Sequence, residues 1–245
     1  MPAEKLVVFI HIPKAAGTTT RAILAANYDA PTLLNEMIHG RTSVSGGAKG
    51  IASLDYDVEF FLTQVWAAEK NLRCVAINLP YGLHNFIDRP ITYFSILRDP
   101  VERCLSLWFE AYRNRSVSSL WAIFEKYGFD IQAIIASKEA PELQNDQTRM
   151  LSGCLAFDCT DTEVRLALSN VQAGRIIVGF VESYPQSISL IGDKLGWSQL
   201  QYIPLNQAES KPACILPTGA REILREANQI DIELVARCRR RCRGK

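Results

Sequence analysis

Residues 6–21 read Leu6-Val7-Val8-Phe9-Ile10-His11-Ile12-Pro13-Lys14-Ala15-Ala16-Gly17-Thr18-Thr19-Thr20-Arg21, and this stretch decides the fold. Its first five residues form an unbroken apolar run, which is typical of a strand buried on both faces of a parallel sheet. A polar turn that contains Gly17 follows, and the residues from Thr18 to Ala26 have helical character. The order of strand, loop and helix is the geometry of a phosphate-binding unit.

Three further apolar runs, 74–77, 91–97 and 175–181, have the same character. Apolar residues recur at helical spacing between the first and second runs, at 58–66, and after the fourth run, at 188–195. The Ser- and Gly-rich segment 41–50 is predicted as a loop. Strands that alternate with helices imply right-handed crossovers. The sequence therefore predicts an α/β chain with a three-layer, P-loop-like fold, in which helices flank a central, mainly parallel sheet.

Length and charge limit the possible classes of protein. A chain of 245 residues with 48% apolar residues can bury one substantial core, and we predict a single domain over residues 1–245. The 27 basic and 26 acidic residues give a formal charge of +1. This balance argues against a surface built for nucleic acid or for an anionic membrane.

The sequence also predicts where the chain is found. No apolar run reaches the roughly 20 residues that span a bilayer, and the first residues lead directly into a strand, so we expect a cytoplasmic protein.

Seven cysteines are scattered along the chain. That distribution supports neither a zinc site nor a disulfide framework, so reduced thiols are expected, and Cys154 and Cys159 are the pair close enough to bridge in an oxidising compartment.

The loop between the first strand and the first helix is suited to an anion. Backbone N–H groups at a helix start point outward and carry positive potential. Gly17 allows close approach of the backbone, Thr18 to Thr20 offer hydroxyls, and Lys14 supplies a mobile charge. Nucleoside triphosphatases place their Lys after the last Gly of this loop, whereas Lys14 precedes Gly17, which disfavours magnesium-dependent phosphoryl transfer. An ordinary glycine-containing turn is the alternative.

A second segment, Ser95 to Trp108, joins the third apolar run to a well-marked helix. Asp99 is a plausible N-cap and Pro100 a plausible first helical residue. Arg98 falls at the carboxyl end of the strand, where open α/β sheets bind ligands, and its guanidinium can grip a phosphate. Ser106 can add a hydroxyl. The apolar stripe of the helix leaves Arg103 and Ser106 on other faces, and a carboxylate partner for Arg98 is the alternative.

Together these segments resemble the sulfotransferase superfamily, and specifically the branch of heparan sulfate and uronyl 2-O-sulfotransferases with small bacterial members. HIPKAAGTTTR, residues 11–21, looks like the 5′-phosphosulfate loop, and SILRDPVERCLSLW, residues 95–108, looks like the 3′-phosphate segment. Softer similarities are NLPYGLH, NDQTRMLSG, VGFVESYPQSISLI and ANQIDIEL.

The resemblance implies a cofactor and a set of ligands. The donor would be 3′-phosphoadenosine-5′-phosphosulfate (PAPS), with 3′-phosphoadenosine-5′-phosphate (PAP) as product and no required metal. Its 5′ side would be held by Lys14, Ala16, Gly17, Thr18, Thr19 and Thr20. Its 3′-phosphate would be held by Arg98 and Ser106. The acceptor would be a small molecule or glycan that offers a hydroxyl.

Sulfuryl transfer needs a cation at the leaving phosphate and a base at the acceptor hydroxyl. Lys14 suits the first role. For the second we predict His84, because it follows the second strand and is expected to face the same edge of the sheet as the loop. Relatives tend to have their catalytic His at the position of Asn78. His11 is expected to orient the loop, and His39 to be a surface residue.

Two other functions stay open at this point. A nucleotide kinase or triphosphatase would use the same loop. A binding protein that keeps the PAP site but has lost catalysis would explain Asn78. The identity of the acceptor and the oligomeric state do not follow from the sequence.

Overall fold

The computed structural model of the chain describes residues 5–29, 32–34, 71–115, 118–154, 157–202 and 216–243. The predicted helical pattern at 58–66, the Ser- and Gly-rich segment 41–50 and His39 lie outside these described residues. Within them, no helix is both long enough and apolar enough to cross a membrane. Cys154 and Cys159 are both free thiols.

The centre of the fold is a five-stranded parallel sheet in the order β2-β3-β1-β4-β5. The strands are β1 (Leu6–Ile10), β2 (Leu33–Leu34), β3 (Cys74–Ile77), β4 (Ile91–Leu97) and β5 (Ile176–Phe180). The four apolar runs of the sequence coincide with β1, β3, β4 and β5, which confirms the predicted α/β class and the parallel sheet. The two-residue strand β2 was not predicted.

The strand order opens a crevice at the carboxyl ends of β1 and β4. From β1 the chain runs toward β2 and β3 on one side of the sheet, whereas from β4 it runs toward β5 on the other side. Two neighbouring parallel strands whose connections leave in opposite directions form a topological switch point, where open α/β sheets bind ligands. The loops that follow β1 and β4 therefore lie side by side.

Nine α-helices accompany the strands in the described ranges. They are α1 (Gly17–Asn27), α2 (Pro100–Arg113), α3 (Ser119–Lys126), α4 (Ile131–Ser137), α5 (Asp146–Ser152), α6 (Asp161–Gln172), α7 (Tyr184–Leu195), α8 (Ala220–Ala227) and α9 (Gln229–Arg243). Short 3₁₀ turns lie at Leu83–Asn85, Pro141–Leu143 and Val181–Ser183.

The helices cover both faces of the sheet because the strands are apolar on both faces. In β1, Leu6, Val8 and Ile10 pack into one core cluster with α5, α6 and α9. Val7 and Phe9 point to the other face and pack with α1 and α7. A third cluster joins α2, α3, α4 and α8. The result is the three-layer arrangement of helix, sheet and helix that the sequence predicted.

The start of α2 follows the prediction, but one of its side chains does not. Asp99 accepts a hydrogen bond from the backbone N–H of Glu102 at 3.0 Å, and Pro100 is the first helical residue. Ser106 is half-buried. Arg103 was predicted to lie outside the buried face, which is wrong, because its side chain is 0% exposed and lies 3.6 Å from the carboxylate of Asp146.

The cap of α2 predicts the effect of a substitution on stability. Asp99→Ala removes the acceptor for the first turn, so we expect the free energy of unfolding to fall by about 1 kcal/mol. Urea denaturation followed by circular dichroism measures this change. Asp193→Ala, an exposed aspartate inside α7, is the control and should leave stability nearly unchanged. Equal midpoints for both variants would contradict the capping role.

Candidate functional site

The loop between β1 and α1 has an unusual backbone. Lys14 and Ala16 have φ values of 67° and 59°, in the left-handed region that residues with a side chain rarely adopt. Such strain clusters at sites that bind ligands. Ala16 is the N-cap of α1 and offers no side-chain acceptor to the first turn of the helix. The loop therefore turns sharply and presents backbone N–H groups at a helix N-terminus, which favours anions.

Gly17, the first residue of α1, lies directly against His11. A Cβ atom built on Gly17 would be 1.9 Å from His11 Nε2, far inside van der Waals contact. The absence of a side chain at this position is what lets the imidazole and the helix start pack together. His11 also contacts the side chain of Asn78 through Nδ1, and Arg21 Nη2 lies 3.5 Å from the same nitrogen.

Lys14 and Arg98 meet at the switch point. Arg98 Nη1 donates to the backbone carbonyl of Lys14 at 2.9 Å, and Lys14 Nζ makes a salt bridge of 2.7 Å with Glu110 on α2. Burial lowers the pKa of Arg98, and the nearby carboxylates of Glu102 and Glu182 act in the opposite direction. Lys14 and Arg98, the two cationic residues predicted to bind the donor, therefore lie on the same rim of the sheet.

The three threonines of the loop differ in what their side chains face. Thr18 is exposed and Thr19 is buried. Thr20 is 0% exposed, and its hydroxyl contacts the hydroxyl of Tyr184 at 2.9 Å and donates to the carbonyl of Ala16. The helical turn thus points Thr20 toward the core, so its hydroxyl is not available in the way that the sequence predicted.

His84 lies in a different environment from the loop. Its ring packs against Tyr81 and Tyr93, and its Nδ1 is 3.0 Å from the hydroxyl of Tyr93. Partial burial lowers the pKa of His84, and the charge of Arg175 lowers it further. Arg175 immediately precedes β5 at the amino end of that strand. The sequence predicted that His84 would face the same edge of the sheet as the loop. The structure instead places it against Tyr81 and Tyr93, away from that edge.

The course of the backbone explains this difference. Asn78 directly follows β3 and does lie at the carboxyl edge. The chain then turns back along one face of the sheet toward the amino end of β4, and His84 lies partway along this return. Sequence distance from the end of β3 could not reveal the change of direction. Among the described residues, no group of His, Cys, Asp and Glu side chains is arranged to hold a metal ion.

Two residues contact Lys14 and Arg98 in the structure, and neither contact was predicted from the sequence. Glu110 binds Lys14 from α2. Gln147, in the first turn of α5, is 0% exposed and hydrogen-bonds the backbone of Arg98. The only signal for Glu110 was its position one helical turn after Ser106. Gln147 lies in NDQTRMLSG, one of the softer similarities, but its contact with Arg98 was not predicted, because a polar residue at a helix start is usually a surface residue.

Comparison with known families agrees with this fold and this pair of loops. The sequence matches the model of the Sulfotransferase family over residues 2–158, a span that holds both the loop after β1 and the segment after β4. The match covers 157 of 245 residues, so the chain belongs to the sulfotransferase family. A search of curated proteins finds no match for the chain.

The contact between Gly17 and His11 leads to a second prediction. Gly17→Ala should displace His11 and distort the start of α1. For the PAP site that the resemblance implies, we therefore expect the affinity in a calorimetric titration to fall by roughly tenfold or more. The control is Gly196→Ala, where φ is 72° but no atom lies near the added methyl group. It should lose stability and keep its affinity for PAP. Unchanged affinity in Gly17→Ala would show that the close approach has no role in binding.

Proposed function

We propose that this chain transfers a sulfuryl group from PAPS to the hydroxyl of a carbohydrate or another alcohol, in the manner of the heparan sulfate and uronyl 2-O-sulfotransferase branch. Membership of the family supports sulfuryl transfer. The observation that carries the choice of donor is the hydrogen bond of 2.9 Å between Arg98 and the Lys14 carbonyl. It brings together two cationic residues from the segments that follow β1 and β4, which supports a ligand with more than one anionic group.

The chemistry of the side chains at this rim fits such a nucleotide. The start of α1 offers backbone donors, Arg98 offers a planar guanidinium, and Lys14 offers an ammonium on a flexible stem. Glu110 holds Lys14 Nζ at 2.7 Å. When the nucleotide binds, one of its anionic oxygens would replace the Glu110 carboxylate at Lys14 Nζ. The ammonium group therefore has an anionic partner both before and after binding.

PAPS, when bound, supplies the sulfuryl group and the PAP leaving group. Lys14 Nζ would donate to the oxygen that departs with the phosphate and would stabilise the negative charge on it. Arg98 and Ser106 hold the 3′-phosphate and so fix the position of the sulfur. A histidine takes the proton of the acceptor hydroxyl while the acceptor oxygen bonds to sulfur.

Two histidines are candidates for this base. His84, the residue that the sequence predicts, has a lowered pKa and an exposed ring, so it is neutral and accessible at pH 7. His11 has the better location, because it contacts Asn78 and lies against Gly17 in the loop. His84 is therefore the candidate that the sequence predicts and His11 the candidate that the geometry favours, and experiment must separate the two.

Asn78 supports a second candidate function. It stands where relatives tend to have their catalytic histidine, and it contacts His11 at the carboxyl edge. A chain that binds PAP at this rim without transferring sulfuryl groups would have the same cationic residues. The cytoplasmic location and the glycan acceptor stay predictions from the sequence.

The donor site predicts the behaviour of two charge-removing variants. Lys14→Ala and Arg98→Ala should each weaken PAP binding by more than tenfold, which corresponds to about 1.4 kcal/mol or more. Isothermal titration calorimetry measures both. The matched controls are Lys138→Ala and Arg165→Ala, which remove exposed cations far from the rim in sequence and should bind PAP as the wild type does. Wild-type affinity in both rim variants would refute the proposed donor site.

The choice of base is tested by pH dependence. If His84 takes the proton, it must be neutral, so kcat/KM falls as the pH drops through a pKa below the ordinary value of 6.5. His84→Ala should abolish this acidic limb and lower kcat by about a hundredfold or more, with PAP affinity retained. The assay follows radiolabelled sulfate from PAPS into a panel of hydroxyl acceptors.

The same assay with His11→Gln distinguishes the rival assignments. Wild-type turnover in His84→Ala together with a loss in His11→Gln would transfer the role of base to His11. A wild type that binds PAP tightly but sulfates no acceptor in the panel would favour the binding protein.

A further inference from the structure

Gln147 makes a two-point contact with the backbone of Arg98. The backbone N–H of Arg98 donates to Gln147 Oε1 at 2.9 Å, and Gln147 Nε2 donates to the carbonyl of Arg98 at 2.9 Å. The side chain of Gln147 is 0% exposed. One amide thus satisfies both backbone groups of Arg98 just beyond the end of β4, as a neighbouring strand would do.

Gln147 is held in turn by the C-terminal helices. Asp231, in the first turn of α9, accepts from the backbone N–H of Gln147 at 3.1 Å. It also accepts from the backbone N–H and the hydroxyl of Thr148, both at 2.7 Å. Asn228, between α8 and α9, accepts from the backbone N–H of Asn145 at 2.9 Å. The start of α5 is therefore capped from α8 and α9, while its own N-cap Asn145 makes no side-chain cap.

A continuous set of hydrogen bonds therefore runs from α9 to the loop after β1. It passes from Asp231 to Gln147, from Gln147 to the backbone of Arg98, and from the guanidinium of Arg98 to the carbonyl of Lys14. Every link is between 2.9 and 3.1 Å. The far end of this set, α9, lies beyond residues 2–158, the span that matches the family model.

We infer that Gln147 is a positioning residue that fixes Arg98 for the 3′-phosphate of the donor, and that α9 completes the nucleotide site through Asp231. This inference rests on the proposed function. A guanidinium grips phosphate only in a narrow geometry, so a small shift of its backbone weakens the contact. Gln147 fixes that backbone at both of its polar groups, and it does so without contact to the nucleotide.

The test replaces the amide by an apolar chain of similar length. Gln147→Met should weaken PAP binding by roughly tenfold, less than the hundredfold that a misplacement of about 1 Å can cost. Its affinity for adenosine 5′-phosphosulfate, which lacks the 3′-phosphate, should stay within about twofold of the wild type. Loss of affinity for both ligands in equal measure would overturn the inference, because a general loss of structure does not select the 3′-phosphate.

Asn170→Leu is the matched control. Asn170 is also a buried amide at 1% exposure, but it donates to the carbonyl of Leu151 and does not contact Arg98. We expect both variants to lower the midpoint of urea unfolding and only Gln147→Met to lose PAP affinity. If Gln147→Met does not fold, Gln147→Glu keeps the acceptor for the Arg98 N–H and is measured with the same two ligands and the same expected selectivity.

A double-mutant cycle separates this inference from the proposed function. In the Arg98→Ala background, Gln147→Met should cause no further loss of PAP affinity, because the group that it positions is gone. If Arg98→Ala itself leaves PAP binding unchanged, the proposed role of Arg98 at the 3′-phosphate fails and the inference fails with it. If Arg98→Ala weakens binding and Gln147→Met does not, the inference alone is overturned.

Discussion

The site depends on the parallel pairing of β1 with β4. Phe9 lies beside Phe94 in this pair, so β1 ends one residue and β4 three residues beyond this point, and the loops that follow them are neighbours. Because the chain leaves β1 and β4 in opposite directions, the two loops flank a topological switch point, where open α/β sheets bind ligands. The hydrogen bond of 2.9 Å from Arg98 to the Lys14 carbonyl is the direct result of this placement.

Carboxylates balance the cations at this rim. Glu110 pairs with Lys14, while Glu182, just after β5, accepts from the backbone N–H of Asp99 at 2.7 Å and lies near Arg98. The rim is therefore not a bare positive patch, in keeping with the formal charge of +1. Selectivity for an anion then comes from the fixed positions of the donors more than from long-range attraction, which salt screens beyond about 10 Å.

The sequence predicted what depends on local pattern and missed what depends on distant partners. Unbroken apolar runs identified four of the five strands in the part of the chain that the structure describes, and Asp99 identified the start of α2. The burial of Arg103 was missed because its counter-charge, Asp146, is remote in the chain. The contact between Gln147 and the backbone of Arg98 was missed because these two residues are also far apart in the chain. The environment of His84 was missed because residues after β3 turn back along the sheet, and spacing along a sequence does not report such a reversal.

The buried polar groups around α5 fix a position more than they add stability. Arg103, Asp146 and Asp231 are all at most 1% exposed, and apolar residues of similar volume in such places often give equal or greater stability. Apolar packing, however, would let α5 slide or rotate against α9, whereas three hydrogen bonds to Asp231 allow one register. That register sets where Gln147 meets the end of β4. We therefore interpret this costly network as a means of holding the rim in place.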